Sequence, residues 1–174
     1  NLLAPRSVAV LGASERNGPG LQVLVNLEAL GFQGNIIPVN PKYETVLGYP
    51  CYPSLAAAAE AVGSLDAVAI LLGRERVLPA LKEASSLGIK AAWAFASGFS
   101  ESDELGQTLH KELVVFCREN NMAFCGPNCV GIANPGASVG LFSAPLPTSF
   151  PSGGISLVSQ SGSICLALIN GARD

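Results

Sequence analysis

Residues 12–20 read Gly12-Ala13-Ser14-Glu15-Arg16-Asn17-Gly18-Pro19-Gly20, a glycine-rich loop between two patterned segments. Residues 7–11 before it are apolar and β-branched, and residues 21–30 after it carry Leu21, Leu24, Val25, Leu27 and Leu30 at helical spacing. A helix N-terminus offers unpaired N–H groups and a partial positive charge. Glycines let an anion approach that backbone, so the stretch suits a phosphate. Gly12, Gly18 and Gly20 do not fit G-x-G-x-x-G, and a glycine turn without a ligand would use the same residues.

Asn40-Pro41-Lys42 narrows the chemistry. An NAD site places an acid at the end of its second strand to hold the ribose hydroxyls. Here that position lacks an acid and a lysine follows, where a phosphate on the ribose would need a cation. Coenzyme A and NADP both carry such a phosphate, while a solvated turn lysine is the ligand-free alternative. Arg16, Arg74 and Arg76 stand in loops as further candidate phosphate partners. His110 is the only histidine, mid-helix beside Lys111 and Glu112, so it reads as a solvated position and no Ser/His/Asp or Cys/His arrangement can be built. Cys125 and Cys129 alone make a poor zinc site.

These residues need elements to position them. Strands are expected at residues 7–11, 35–40, 67–72, 91–95 and 122–125. Helices are expected at 21–30, from the N-cap Ser54 to 62, at 76–87 with Pro79 in its first turn, and at 103–120 with Leu105, Leu109, Leu113 and Phe116 at helical spacing. Strand–helix alternation implies an α/β, Rossmann-like doubly wound parallel sheet with helices on both faces. Ligands of such sheets bind beyond the strands' carboxyl ends. Loops 12–20, 40–42, 73–76, 96–99 and 126–131 all follow strands and converge there. Residues 133–154, with Pro135, Pro145, Pro147 and Pro151, read as a connector. Residues 155–158 then restart a strand, Ser159-Gln160-Ser161-Gly162 forms a second small-residue loop, and 163–172 reads as a helix. The expected organisation is a first domain over 1–132, the connector, and the start of a second, flavodoxin-like α/β domain over 155–174.

Of the 174 residues 49% are hydrophobic and 13% charged, which excludes disorder. A net charge of −3 argues against nucleic acid or an anionic membrane as partner. There is no apolar run of about 18 residues, so no membrane span is expected. The five cysteines suit reduced thiols and a cytoplasmic location better than a disulfide framework.

Six stretches occur in an order that resembles a known family. They are Pro5-Arg6-Ser7-Val8-Ala9-Val10-Leu11-Gly12-Ala13-Ser14, Pro38-Val39-Asn40-Pro41-Lys42-Tyr43, Leu47-Gly48-Tyr49-Pro50-Cys51-Tyr52-Pro53-Ser54, Ala96-Ser97-Gly98-Phe99, Gly126-Pro127-Asn128-Cys129-Val130-Gly131 and Leu157-Val158-Ser159-Gln160-Ser161-Gly162. Together they are similar to the N-terminal part of the NDP-forming (ADP-forming) acyl-CoA synthetases, relatives of the succinyl-CoA synthetase α subunit. The resemblance implies a CoA-binding domain in a ligase that makes acyl-CoA, ADP and phosphate from a carboxylic acid, ATP and CoA. It implies an acyl phosphate and a phosphohistidine as intermediates, with ATP/ADP and Mg2+ at an ATP-grasp domain or subunit, and an oligomeric full-length form. Carried over by motif, Gly12, Ala13, Ser14, Arg16, Asn17, Gly18, Gly20, Lys42, Ala96, Ser97 and Gly98 would bind CoA. Asn128, Cys129, Ser159, Gln160, Ser161 and Gly162 would line the phosphate and acyl-phosphate side. His110 does not match the phosphohistidine context, which is expected beyond Asp174, so this stretch is expected to bind rather than catalyse. A CoA- or acyl-CoA-sensing module of a protein lysine acetyltransferase and an NADP-binding oxidoreductase domain are the alternatives.

Overall fold

The computed structural model of the chain describes residues 2–148 and 152–171. Five strands pair in parallel: β1 (Ser7–Leu11), β2 (Asn35–Val39), β5 (Ala67–Ile70), β6 (Ala91–Ala94) and β7 (Ala123–Cys125). Their order is β2-β1-β5-β6-β7, so the chain moves outward from β1 first to one side and then to the other. The switch point between β1 and β5 is where an open α/β sheet leaves a crevice. The connecting helices are α1 (Pro19–Ala29), α2 (Leu55–Val62), α3 (Arg74–Ser86) and α4 (Glu104–Glu119). The expected parallel α/β sheet is therefore present.

Alternation along the strands divides the core. Ala9, Leu11, Val68, Ile70, Ala92 and Ala94 turn to one face, covered by α2, α3 and α4. Val8, Val10, Ala69 and Trp93 turn to the other face, where α1 contributes Val23, Leu24 and Leu27. One helix cannot cover a five-stranded face. The remainder is covered by an antiparallel hairpin, β8 (Gly131–Asn134) and β9 (Val139–Phe142), joined by a 3-10 turn. Val139 and Leu141 are fully buried in that second core. The segment read from 133 onward as a connector thus packs as part of the sheet domain. Its prolines and glycines bound the hairpin, because one side chain in two must reach the core and short strands leave little periodicity to read.

The edge of β2 is also closed. β3 (Thr45–Val46) and β4 (Tyr49–Pro50) pair with each other, and Tyr52 then flanks β2. Its N–H donates to the Pro38 carbonyl at 3.0 Å and its carbonyl accepts from Asn40 N–H at 2.9 Å. Pro38 fits here because an edge strand need not donate at every position.

Three further expectations change. The buried stripe of α1 is Gly20, Val23, Leu24 and Leu27, with Asn26 beside it, while Val25 is exposed. Leu105 on α4 is exposed too, because the helix comes in on Gly106, where an added Cβ would lie 2.4 Å from the Phe99 carbonyl oxygen. Residues 155–158, read as a strand, form no ladder, and Ile155 and Val158 are almost wholly exposed. A strand's backbone needs a paired neighbour, and no described strand lies alongside. After them α5 (Gly162–Gly171) forms. Residues 149–151 and 172–174 of the expected connector and helix lie outside the described residues.

Asn26 ties the hairpin to α1. Its amide nitrogen donates to the carbonyls of Phe142 and Ala144, each at 2.9 Å, and its Oδ1 accepts from Leu146 N–H at 3.1 Å and Gln22 Nε2 at 3.0 Å. A buried polar group left without its partner costs about 1–3 kcal/mol. Asn26→Ala leaves several such groups and is expected to lower stability by at least about 2 kcal/mol. Urea unfolding followed through Trp93 fluorescence measures this. A loss under about 0.5 kcal/mol, the range of an ordinary surface change, would show that the clamp is dispensable.

Candidate functional site

Because β1, β2 and β5 run parallel, their carboxyl ends meet on one rim, and a cleft of about 420 Å³ opens there. It runs from Leu11 and Gly12 past Val39, Asn40, Pro41 and Lys42 to the start of α2 at Pro53, Ser54 and Leu55, with Leu72, Arg76, Pro79, Ala80 and Glu83 as its far wall. Of the expected site residues it contains Gly12 and Lys42, and of the further candidate phosphate partners Arg76. Pro79 lies past the first turn of α3, which begins at Arg74, and its ring faces the cleft.

The loop at 12–20 is held by close backbone packing. Gly12 has φ +86, and an added Cβ would sit 2.5 Å from the Leu71 carbonyl oxygen. On Gly20 an added Cβ would sit 2.3 Å from the Gly12 carbonyl oxygen. Both glycines therefore let α1 and β5 approach β1. Gly18 is different: an added Cβ would meet only the Arg16 carbonyl, at 3.9 Å. Ser14 Oγ donates to the Arg16 carbonyl at 3.4 Å, Ala13 is buried, and Arg16 and Asn17 are exposed.

Helix capping separates the elements. Ser54 caps α2 by accepting from Ala57 N–H at 3.1 Å, and Asp103 caps α4 by accepting from Gly106 N–H at 2.7 Å. No side chain caps α1 at Gly18 or α3 at Gly73. The uncapped helices are the two that follow the switch-point strands. This leaves their first-turn N–H groups for an outside acceptor, except at Pro19, which has none, and at Arg76, whose N–H donates to the Gly73 carbonyl at 2.9 Å.

Asn40 holds the second strand end to the loop. Its amide nitrogen donates to the Ala13 carbonyl at 2.7 Å, and its Oδ1 accepts from Lys42 N–H at 3.1 Å. Lys42 and Arg76 both border the cleft, and neither belongs to a salt bridge found among the described residues. Arg74, another candidate, is already engaged. It donates to both Asp103 oxygens at 3.0 Å, to Glu75 at 3.0 Å and to the Gly98 carbonyl at 2.9 Å. The guanidinium in turn holds the Asp103 carboxyl below its usual range. Arg74 therefore positions the 96–98 turn rather than waiting for a ligand.

That turn is not among the walls of the cleft. Ala96 is buried, Ser97 exposed, and Gly98 N–H donates to Glu101 Oε1 at 2.7 Å. The same carboxylate accepts from Asn128 Nδ2 at 3.3 Å, and Asn128 N–H donates to the Ala96 carbonyl at 2.8 Å. Cys129 is half-buried behind it. In the second loop Ser161 Oγ accepts from Ile164 N–H at 3.3 Å and caps α5, while Ser159 Oγ accepts from Ser161 N–H at 3.1 Å. Gly162 lies against Val130, so this loop meets the 126–131 segment. Gln160 is exposed. The expected site residues thus fall into two groups, one around the cleft and one around residues 126–131. His110, read as solvated, is half-buried with Nδ1 enclosed and without a hydrogen-bond partner found among the described residues.

The cleft walls Ser54, Pro79 and Glu83 were not singled out as site residues in the sequence. Only the packing of α2 against α3 brings them to the β1 rim, and Ser54 carries no signal there beyond its cap. No described helix is long and apolar enough to cross a membrane.

The glycines give an immediate test. Gly20→Ala is expected to lower stability by about 1–3 kcal/mol, the range for an overpacked contact, since backbone must move. Gly18→Ala is expected to stay within about 0.5 kcal/mol of the parent. Equal thermal unfolding of the two variants would refute the close-packing account.

Comparison with known proteins places the chain. The family described as CoA binding domain matches residues 6–135. The 4-hydroxybutyrate–CoA ligase [ADP-forming] of Nitrosopumilus maritimus is 33% identical over 171 residues, 98% of this chain and 24% of that protein. The acetate–CoA ligase [ADP-forming] II subunit alpha of Pyrococcus furiosus is 34% identical over 169 residues, 95% of this chain and 35% of that one. Among solved structures, a dinucleotide forming acetyl-coenzyme A synthetase 1 of Ca. Korarchaeum cryptofilum, in complex with phosphate and ADP, superposes with a TM-score of 0.85 at 30% identity. That match covers 98% of this chain and 35% of the other. The chain spans about a quarter of the curated ligase from Nitrosopumilus maritimus. Its parallel sheet, its uncapped switch-point helices and its match over most of its length agree, and the chain belongs to the CoA binding domain family.

Proposed function

We propose that this chain is the CoA-binding part of an ADP-forming acyl-CoA synthetase. The observation that carries the reading is the cleft at the switch point. On its border it has two cations, Lys42 and Arg76, that join no salt bridge found among the described residues, and two uncapped helices begin beside it. These groups fit a nucleotide with phosphates on both ends. Lys42 would meet the ribose phosphate, where Asn40 supplies no carboxylate to repel it. The loop of Gly12, Ala13, Ser14, Arg16, Asn17, Gly18 and Gly20 would wrap the pyrophosphate beside the α1 start. The N–H groups of Gly12 and Ala13 donate to the Val39 and Val10 carbonyls, so the donors would come from further along the loop. The turn at Ala96, Ser97 and Gly98 would border the pantetheine arm.

In the full-length protein the reaction would be acid, ATP and CoA giving acyl-CoA, ADP and phosphate, with an ATP-grasp domain or subunit as partner and Mg2+ with the nucleotide. Asn128, Cys129, Ser159, Gln160, Ser161 and Gly162 would then face the acyl-phosphate side, with residues 155–174 opening the second domain. The exposed Ile155 and Val158 suit a strand that pairs with elements outside this stretch. A cytoplasmic location and an oligomeric enzyme belong to the same reading. The acetyltransferase-module and NADP readings find no support in the comparisons, whose named relatives are ligases.

Calorimetry tests the ligand. CoA is expected to bind and NAD not to. A charge-assisted contact is worth about 1.5–3 kcal/mol, so dephospho-CoA is expected to bind roughly 10–100-fold more weakly. Lys42→Ala should weaken CoA by a similar factor and leave dephospho-CoA unchanged. Equal affinity of the parent chain for CoA and dephospho-CoA would remove Lys42 from this role. Gly18→Val should keep the fold, since space is open at that Cβ, yet lose CoA. Normal CoA binding by that variant would make the loop a turn only.

A further inference from the structure

Cys125 is the last residue of β7, and Cys129 follows after Gly126, Pro127 and Asn128. Their sulfur atoms lie 3.5 Å apart, in contact but not bonded. Both thiols are half-buried, and nothing in the proposed CoA contacts uses Cys125. Cys51 instead donates its thiol to the Asn40 carbonyl at 3.6 Å, and no sulfur–sulfur contact of Cys51, Cys117 or Cys165 is found among the described residues.

We propose that Cys125 and Cys129 are a modification site, a dithiol that a hydroperoxide closes reversibly to a disulfide. The two thiols have unequal roles. The two sulfurs share a hydrogen bond that either thiol can donate; with Cys125 as the donor it holds Cys129 below an ordinary thiol and raises Cys125. Cys165, also near, is raised by desolvation and by the negative charge on Cys129, and Cys117 is raised by burial. Cys129 is therefore the attacking sulfur and Cys125 the resolving one.

The chemistry balances. Cys129 thiolate attacks one peroxide oxygen, the O–O bond breaks, and hydroxide leaves to become water. Cys129 is then a sulfenic acid. Cys125 sulfur attacks it, the S–S bond forms, the S–O bond breaks, and hydroxide leaves with the Cys125 proton as the second water. Two thiols and one hydrogen peroxide yield one disulfide and two waters. A disulfide spans about 2.05 Å, so closure draws residues 125–129 together by roughly the difference from the present contact. Asn128 lies inside that ring and braces the Ala96 carbonyl and Glu101. The Cys129 carbonyl also accepts from Trp93 Nε1 at 3.0 Å, so the only tryptophan reports on the pair.

The test treats the whole chain with one to two equivalents of hydrogen peroxide. Free thiols are blocked, the protein is reduced with dithiothreitol, and the released thiols are labelled and located by mass spectrometry. The expected result is a fall from five free thiols to three, the second label on Cys125 and Cys129 alone, and a reversible drop in Trp93 fluorescence. Cys125→Ser should stop at a sulfenic acid on Cys129, trapped by dimedone, with no second label. Five thiols retained, second label on Cys165 or Cys117, or a Cys125→Ser variant labelled like the parent would each overturn the proposal. If that variant does not fold, the labelling pattern of the parent chain decides by itself.

Discussion

The structure depends on one close approach, where the start of α1 crosses the end of β1. Gly20 lies so near the Gly12 carbonyl that a single methyl group would overlap it, and Gly12 lies equally near the Leu71 carbonyl beyond β5. This contact sets the helix down on the strand with no side chain between them. It brings β1 and β5 together at the point where the strand order reverses. It also leaves the helix without a capping side chain at Gly18. Tight packing and an open N-terminus are thus consequences of the same glycines.

The rim around this point is organised by polar ties that consume most of the available groups. Asn40 bonds Ala13, Arg74 bonds Asp103 and Gly98, and Glu101 bonds Gly98 and Asn128. Exposed ion pairs of this kind add little to stability. Their effect is positional: one set ties residues 12–20 to 40–42, and the other ties the start of α3 and residues 126–131 to residues 96–103. Lys42 and Arg76, which join no salt bridge found among the described residues, border the cleft. A cation kept out of the structural network is available to a ligand, and this separates Arg76 from its neighbour Arg74.

The two faces of the sheet are covered by different means. Three helices cover one, while α1 and the β8–β9 hairpin share the other. Asn26 and the Trp93 indole link the hairpin and the 126–131 loop to the body of the domain. Loop 126–131 therefore sits between the sheet, the hairpin and α5, and the thiol pair at its ends lies within this junction.

Local pattern in the sequence was enough for the five sheet strands, the four helices between them, the cap at Ser54, and the strand-end loops. Each is set by nearest neighbours: β-branched runs, helical spacing, a hydroxyl before a helix. Ordered motifs such as Pro38-Val39-Asn40-Pro41-Lys42-Tyr43 carried the family. The tertiary structure decided what depends on contact across long separations. Residues 133–142 became a hairpin because a half-covered sheet face needed them, while residues 155–158, equally apolar, gained no partner and formed no strand. Gly18 and Gly20 look alike in sequence, yet only Gly20 lies so close to a carbonyl that a side chain would overlap it. Arg74 and Arg76 look alike as well, and Asp103, distant in the chain, takes only the first. A residue's type sets what it can bond, but which groups stand within reach is determined by how the sheet and helices pack.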